Sequence, residues 1–371
     1  MAIMDRDIVE KLSRGHLTLI NWRALRPYLG GWMIDSLKGL PESQRKDGYR
    51  PEEWIGSCVR ASLGMNEAPN EGLSLIKLPS GITVYLKEIV QFCPVEILGK
   101  AVVDRFGCEF PVLTKFLDSA QRLPAQFHPS AEFIRTRGMG TRGKKEAWLI
   151  LDTRRGSQEE PCIYLCFNRS IDKDKFDSLV NTDGQEKQLQ YAHKFSVSPG
   201  DVWLVEEGQY HAIGPGVFMV EVQESSDWIV LTENKVGNLV LNEKVCYMNL
   251  PREDALQCAD FTGYAENEIR DKYKKTPQLL EENDQGQRWQ LIRTDCFSAE
   301  KWIITRKMQE TSDGSYRIGI VIKGNGTLNS LSGQDSLKPG DSFLIPASAQ
   351  RYSLQRAGKE NLEIIFSLPP V

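Results

Sequence analysis

Two stretches of the chain, Ser198-Pro199-Gly200-Asp201-Val202-Trp203-Leu204-Val205 and Lys338-Pro339-Gly340-Asp341-Ser342-Phe343-Leu344-Ile345, repeat one pattern. In each, a Pro-Gly-Asp turn runs into an apolar segment too short for a helix, the signature of a tight turn feeding a buried strand. A second turn follows, Glu207-Gly208 in one copy and Ala347-Ser348 in the other, and leads into a further strand. A chain carrying this unit twice is constrained to a duplicated β-fold. Other short strands, broken by Gly, Pro, Asn and Asp, are expected at 147–152, 162–168, 217–222 and 319–323, which suggests a β-sandwich or barrel. Helical spacing is confined to the start of the chain, to 94–106 and to 265–275, the last ended by Pro277. Laying one copy over the other sets His211 opposite Arg351, and no histidine lies beyond His211. The second half therefore reads as structural or as an interface, joined to the first by a polar, partly helical segment at 234–287.

Bulk properties narrow the class. With 371 residues the chain exceeds one small core, so one large or two moderate domains are expected. A hydrophobic content of 40% with 26% charged residues fits a globular protein rather than a disordered one. A net charge of −4 gives no electrostatic reason to expect nucleic acid or anionic lipid as partner. The first twelve residues lack the apolar core of a secretory signal, and no apolar run is long enough to cross a bilayer. The eight cysteines are scattered without paired spacing, which points to reduced thiols and a cytoplasmic location.

Chemistry concentrates in three segments. Gln126-Phe127-His128-Pro129 reads as a strand in which Gln126 and His128 project together while Phe127 packs on the other side. Glu146 opens a second strand just after Gly143-Lys144-Lys145, and His211 opens a third. An amide oxygen, two imidazoles and a carboxylate form a mixed N/O set that can hold a divalent metal and leave a position open. Zinc fits best, with manganese, cobalt, nickel or iron as further options. The competing reading is two histidines hydrogen-bonded within a barrel lining. His16 and His193 read as surface or packing residues, and Gly324-Asn325-Gly326 as a turn between strands.

These motifs resemble those of the type I phosphomannose isomerases. The run from Phe110 to Thr153 (FPVLTKFLDSAQRLPAQFHPSAEF…GKKEAWLILDT) is similar to the family's Q-x-H-P and G-K-x-E-x-W motifs. The run from Glu207 to Asp227 (EGQYHAIGPGVFMVEVQESSD) is similar to its H-A-x-G-x-G…E-x-Q…S-D segment, and Gly30-Gly31 and Pro51 to Ser57 to its opening. The resemblance implies a mainly β chain of two cupin (jelly-roll) barrels with a small helical component. The division expected is 1–233 for a metal-binding cupin with N-terminal helical elements, 234–287 for the connection and 288–371 for a cupin-like domain without metal ligands. It further implies Gln126, His128, Glu146 and His211 as metal ligands, Lys144 near a sugar phosphate, and Glu221 as acid/base residue. The activity implied is interconversion of mannose 6-phosphate and fructose 6-phosphate by proton transfer through an enediol.

The chain departs from the family at one position. An arginine follows the Ser-Asp pair by four positions in the isomerases, and here Leu231 stands there. Leucine cannot neutralise an enediolate, and loss of one well-placed cation typically costs about a hundredfold in rate. Arg137, Arg142 and Lys145 are candidates for its task by charge alone, although Arg142 and Lys145 otherwise read as a solvated loop. Trp228 could stack on a sugar or fill the core. Two alternatives accompany the isomerase: a cupin sugar-binding or regulatory protein with a retained metal, and a metal-dependent cupin enzyme for a non-phosphorylated sugar.

Overall fold

The computed structural model describes residue 10 and residues 12–61, 68–78, 81–154, 156, 159–180, 182 and 184–370. The expectation for the first twelve residues lies mostly outside them. The chain is mainly β, and its strands form two sandwiches, each with a large and a small sheet. In the first, a seven-stranded sheet centred on Glu146–Thr153, Val217–Glu224 and Val112–Asp118 faces a five-stranded sheet containing Cys162–Phe167, His211–Ile213 and Gln126–Phe127. In the second, a nine-stranded sheet containing Arg317–Lys323, Ser342–Ile345 and Leu362–Leu368 faces a four-stranded sheet. Seven strands of the larger sheet follow the neighbour order of the seven-stranded one, as duplication of a jelly roll requires, and Leu75–Lys77 and Thr83–Tyr85 extend it at one edge. A buried hydrogen bond of 2.7 Å between Thr114 and Ser367 joins them.

The two Pro-Gly-Asp turns are built alike. Gly200 and Gly340 adopt φ of +93° and +86°, the left-handed conformation that favours glycine. Their N–H groups donate to the carbonyls of Ile150 and Val321, at 2.8 and 2.9 Å, and those residues donate back to Asp201 and Asp341. Pairing then aligns Glu146, opposite Val205, with Arg317, opposite Ile345. By the same register Glu221, opposite Trp148, corresponds to Phe366, opposite Gly319. His211 and Arg351 each open the strand that follows. The second sandwich thus carries arginines where the first has Glu146 and His211.

Three expectations are corrected. The helix expected over 94–106 is two helices, Pro94–Leu98 and Lys100–Phe106, broken at Gly99. Gly99 sits at φ +93°, and a Cβ there would lie 2.1 Å from the Gly314 carbonyl oxygen. The later helix, Glu266–Tyr273, stops before Pro277 because Lys274–Lys275 joins the first large sheet beside Val202 and Trp203. The division at 233 does not account for Leu17–Ile20, which pairs with Ser342–Ile345 in the second sandwich. The chain enters the first sandwich only at Trp22–Ala24. Among the described residues no helix is long and apolar enough to cross a membrane.

Candidate metal centre

The metal candidates come from both sheets of the first sandwich. Phe127 is buried among Phe167, Phe176, Tyr210 and Phe261, with ring centroids 5.4–6.2 Å away, which anchors the short strand Gln126–Phe127. Gln126 and His128 then project to the other side, where both reach His211. Backbone bonds tie the segments together. The Gly208 N–H, in the turn before His211, donates to the His128 carbonyl at 2.8 Å. The Lys144 N–H donates to the Pro129 carbonyl at 3.1 Å, and Gly143 lies so close that a Cβ would fall 2.6 Å from the Ala131 nitrogen. The glycine of Gly143-Lys144-Lys145-Glu146 is thus required by packing.

His128, Glu146 and His211 form a buried group whose candidate ligand atoms all lie within 4.8 Å of one another. His128 Nδ1 is 3.1 Å from the Trp228 carbonyl and His211 Nδ1 is 2.9 Å from the Gln209 carbonyl. A carbonyl can only accept, so each Nδ1 carries the proton and each Nε2 presents a lone pair. The two Nε2 atoms are 3.2 Å apart. Glu146 Oε2 is 3.2 Å from that of His128, and Glu146 Oε1 is 3.6 Å from that of His211. The Gln126 amide is 3.0 Å from His211 Nε2, and a flip of the amide turns its oxygen to the same point. Two lone pairs, a carboxylate and an amide converge, and this donor set fits a divalent metal. Such a group could hold one.

Lys144 closes the cluster, its ammonium 2.9 Å from His128 Nε2 and 3.0 Å from Glu146 Oε2. Burial, reinforced by the Lys144 charge, lowers the His128 pKa to about 3, and burial lowers that of His211 as well. Both rings are therefore neutral at ordinary pH, the form that binds metal. Burial alone raises the Glu146 pKa, but Lys144 and the two imidazoles together lower it well below the usual carboxylate range and hold the group ionised.

Beside this cluster is a cavity of about 40 Å³, lined by residues that include Gln126, Lys144, Glu221, Leu231, Arg26 and Lys115. Glu221 is 3.0 Å from Lys115 and lies opposite it across the strand pair. Burial first, then the Glu146 charge, raises its pKa to about 7, against the pull of Lys115. Leu231 is buried directly opposite Gln126.

Other candidates lie elsewhere. Arg137 stacks on Phe133 and donates to Gln257, Arg142 lies over Phe106, and Lys145 pairs with Asp295 and Glu206. None lines the Leu231 cavity. Lys145 is mostly buried in ion pairs, which corrects its reading as a solvated loop residue. Trp228 contributes its carbonyl to His128, while its ring lines a separate cleft. Glu53 pairs with Lys38 and Arg23 away from the cavity, and Gly30-Gly31 is a packing turn bonded to Asp118. His16 is buried against Ser330 and Asp335, and His193 bonds the Tyr264 carbonyl. Residues overlooked in the sequence are Arg26, Glu52 and Lys115. A lysine inside the apolar run Val112–Asp118 was a readable signal, whereas Arg26 carried none.

Known proteins resemble this chain over most of its length. Residues 289–368, in the second sandwich, match the family model described as mannose-6-phosphate isomerase, cupin domain. The Bacillus subtilis protein YvyI is 27% identical over 83% of this chain and 93% of its own length. The mannose-6-phosphate isomerase of Streptococcus mutans is 25% identical over 85% of this chain and 94% of its own. The crystal structure of the Bacillus subtilis mannose 6-phosphate isomerase superposes with a TM-score of 0.71 at 21% identity, covering 95% of this chain and 99% of that one.

Proposed function

This chain belongs to the mannose-6-phosphate isomerase family, and from that premise we propose that it is a metal-dependent isomerase of a sugar phosphate, mannose 6-phosphate being the first candidate. The observation that carries the reading is the convergence of two unprotonated imidazole nitrogens and a buried carboxylate beside a cavity lined by Glu221. His128, Glu146 and His211, with Gln126 as fourth donor, would hold the ion, and zinc suits the set best. A divalent ion bound there would supply a Lewis acid for charge developing on the sugar oxygens.

The side chains supply the rest. Aldose–ketose interconversion removes a proton from the carbon beside the carbonyl and returns one to the neighbouring carbon, through an enediol. Glu221 is the group for both steps, because a pKa near 7 lets one carboxylate accept and then donate. Lys144 supplies positive charge for the anionic substrate. A cavity of about 40 Å³ has room for only a few waters, so a hexose must displace side chains. The Lys144 ammonium, between the ligands and the cavity, is the first that has to move.

The test is proton exchange. Metal-loaded protein incubated with mannose 6-phosphate in heavy water is expected to yield fructose 6-phosphate with deuterium at C1, the reacting carbon that gains a proton. Absence of both product and exchange would overturn the reading. Leu231 favours one alternative, an isomerase for a different or non-phosphorylated sugar, which would show exchange with that sugar and none with mannose 6-phosphate.

A further inference from the structure

The cavity beside the metal group is lined by an apolar residue, Leu231, and also by an arginine, Arg26. Arg26, held on the segment between Trp22–Ala24 and the Gly30-Gly31 turn, is 1% exposed, and its carbon lies 4.9 Å from the Trp54 ring centre. Its Nε is 3.1 Å from Glu52 and one Nη is 3.3 Å from Asp227. The other, Nη1, makes no hydrogen bond among the described residues. Buried donors are almost always satisfied, and a buried arginine nitrogen left over at a cavity wall marks a place for an acceptor. The carboxylates are themselves braced. Glu52 accepts from Tyr28 and Trp54, and Lys115 stands 3.5 Å from Glu52 and 3.0 Å from Glu221. Asp227, Arg26, Glu52, Lys115 and Glu221 thus form a row of alternating charge ending at the proposed acid/base residue. Arg26 and Leu231 line the same cavity, so Arg26 supplies a cation where Leu231 cannot.

We propose that Arg26 is a catalytic residue that donates a hydrogen bond through Nη1 to an oxygen at the reacting end of the bound sugar. There it stabilises negative charge as the enediolate forms. The assignment rests on the isomerase reading and deepens it. A fixed donor aimed at a developing oxyanion acts on the transition state more than on the bound ground state, so its loss falls mainly on kcat.

The experiment compares metal-loaded wild type, Arg26→Lys, Leu231→Arg and the double variant, with mannose 6-phosphate as probe in both turnover and calorimetric binding. Arg26→Lys keeps a positive charge for Glu52 and Asp227 but loses the planar fork. Its kcat is expected to fall about a hundredfold with KM changed little, as for removal of one oxyanion donor. A merely structural role would lower melting temperature and metal content instead. Leu231→Arg alone is expected to give no gain, because the cationic position is filled, and to recover part of the loss in the double variant. It also keeps the proposal falsifiable if Arg26→Lys does not fold. Unchanged kcat in folded Arg26→Lys, or a tenfold gain in Leu231→Arg alone, would overturn the role of Arg26 and leave the isomerase standing. A wild type that neither binds nor converts mannose 6-phosphate would overturn both.

Discussion

The Nε2 atoms of His128 and His211 face each other at 3.2 Å, while the Nδ1 atom of each is fixed by a backbone carbonyl. Neither ring can relieve this approach by changing tautomer without breaking its carbonyl bond. The Lys144 ammonium and the Gln126 amide stand at these lone pairs, and a divalent cation would take their place. Protein purified without added metal is accordingly expected to carry about one divalent ion per chain, measured by plasma mass spectrometry. His128→Ala should lose it. The second sandwich has Arg317 and Arg351 at the corresponding places, so a stoichiometry of two would contradict the alignment of the halves.

Bound metal should also stabilise the fold. At a free concentration a thousand times its Kd, a ligand of the native state alone adds roughly 4 kcal/mol. Chelation should lower the melting temperature of the wild type and leave that of His128→Ala unmoved.

Glu221 governs the expected pH profile. Its pKa is raised to about 7, chiefly by burial and then by the Glu146 charge. Below that value the carboxyl is neutral and cannot take a proton, whereas above it the carboxylate can. The kcat/KM for mannose 6-phosphate should therefore rise as pH passes about 7. Glu221→Gln should reduce kcat by about 10²–10⁴-fold and remove that inflection.

Lys144 is expected to act on substrate rather than on metal retention. Lys144→Ala removes a positive charge that touches the His128 imidazole and Glu146. Metal content should persist, while KM for the sugar phosphate rises at least about tenfold, the order expected for a lost charge-assisted contact. Steady-state kinetics with parallel metal analysis checks both parts. Loss of metal would make Lys144 a support of the cluster instead.

Phe127 couples packing to the site. Its side chain is fully buried in an aromatic cluster, and its neighbours on either side are Gln126 and His128. Phe127→Ala should cost about 3–5 kcal/mol by cavity formation and weaken metal retention as the two flanking residues lose their register. Urea unfolding followed by metal titration of the folded fraction would measure the two effects.

The duplicated turn was the most legible part of the fold, because a Pro-Gly-Asp turn leaves few alternatives for the strand that follows. Both copies share even their hydrogen bonds to the neighbouring strand. The break at Gly99 and the excursion of Leu17–Ile20 into the second sandwich were not legible, since both depend on partners more than 200 residues away. In the site, Gln126, His128, Glu146 and His211 stood out because their side-chain chemistry is scarce or sits at strand ends. The carbonyls of Trp228 and Gln209 that orient the imidazoles have no side-chain signature. Arg26 escaped notice because only tertiary folding buries it beside Glu52 and Asp227. The resemblance named the missing arginine at Leu231, but charge alone pointed to residues that lie elsewhere.

The most direct measurement is a coupled assay of mannose 6-phosphate conversion to fructose 6-phosphate. Wild type would be assayed metal-loaded, chelated and reloaded, beside metal-loaded His128→Ala. The account predicts turnover that disappears on chelation, returns with zinc and is absent in His128→Ala. Turnover that survives both chelation and the loss of His128, or no turnover in zinc-loaded wild type, would contradict it.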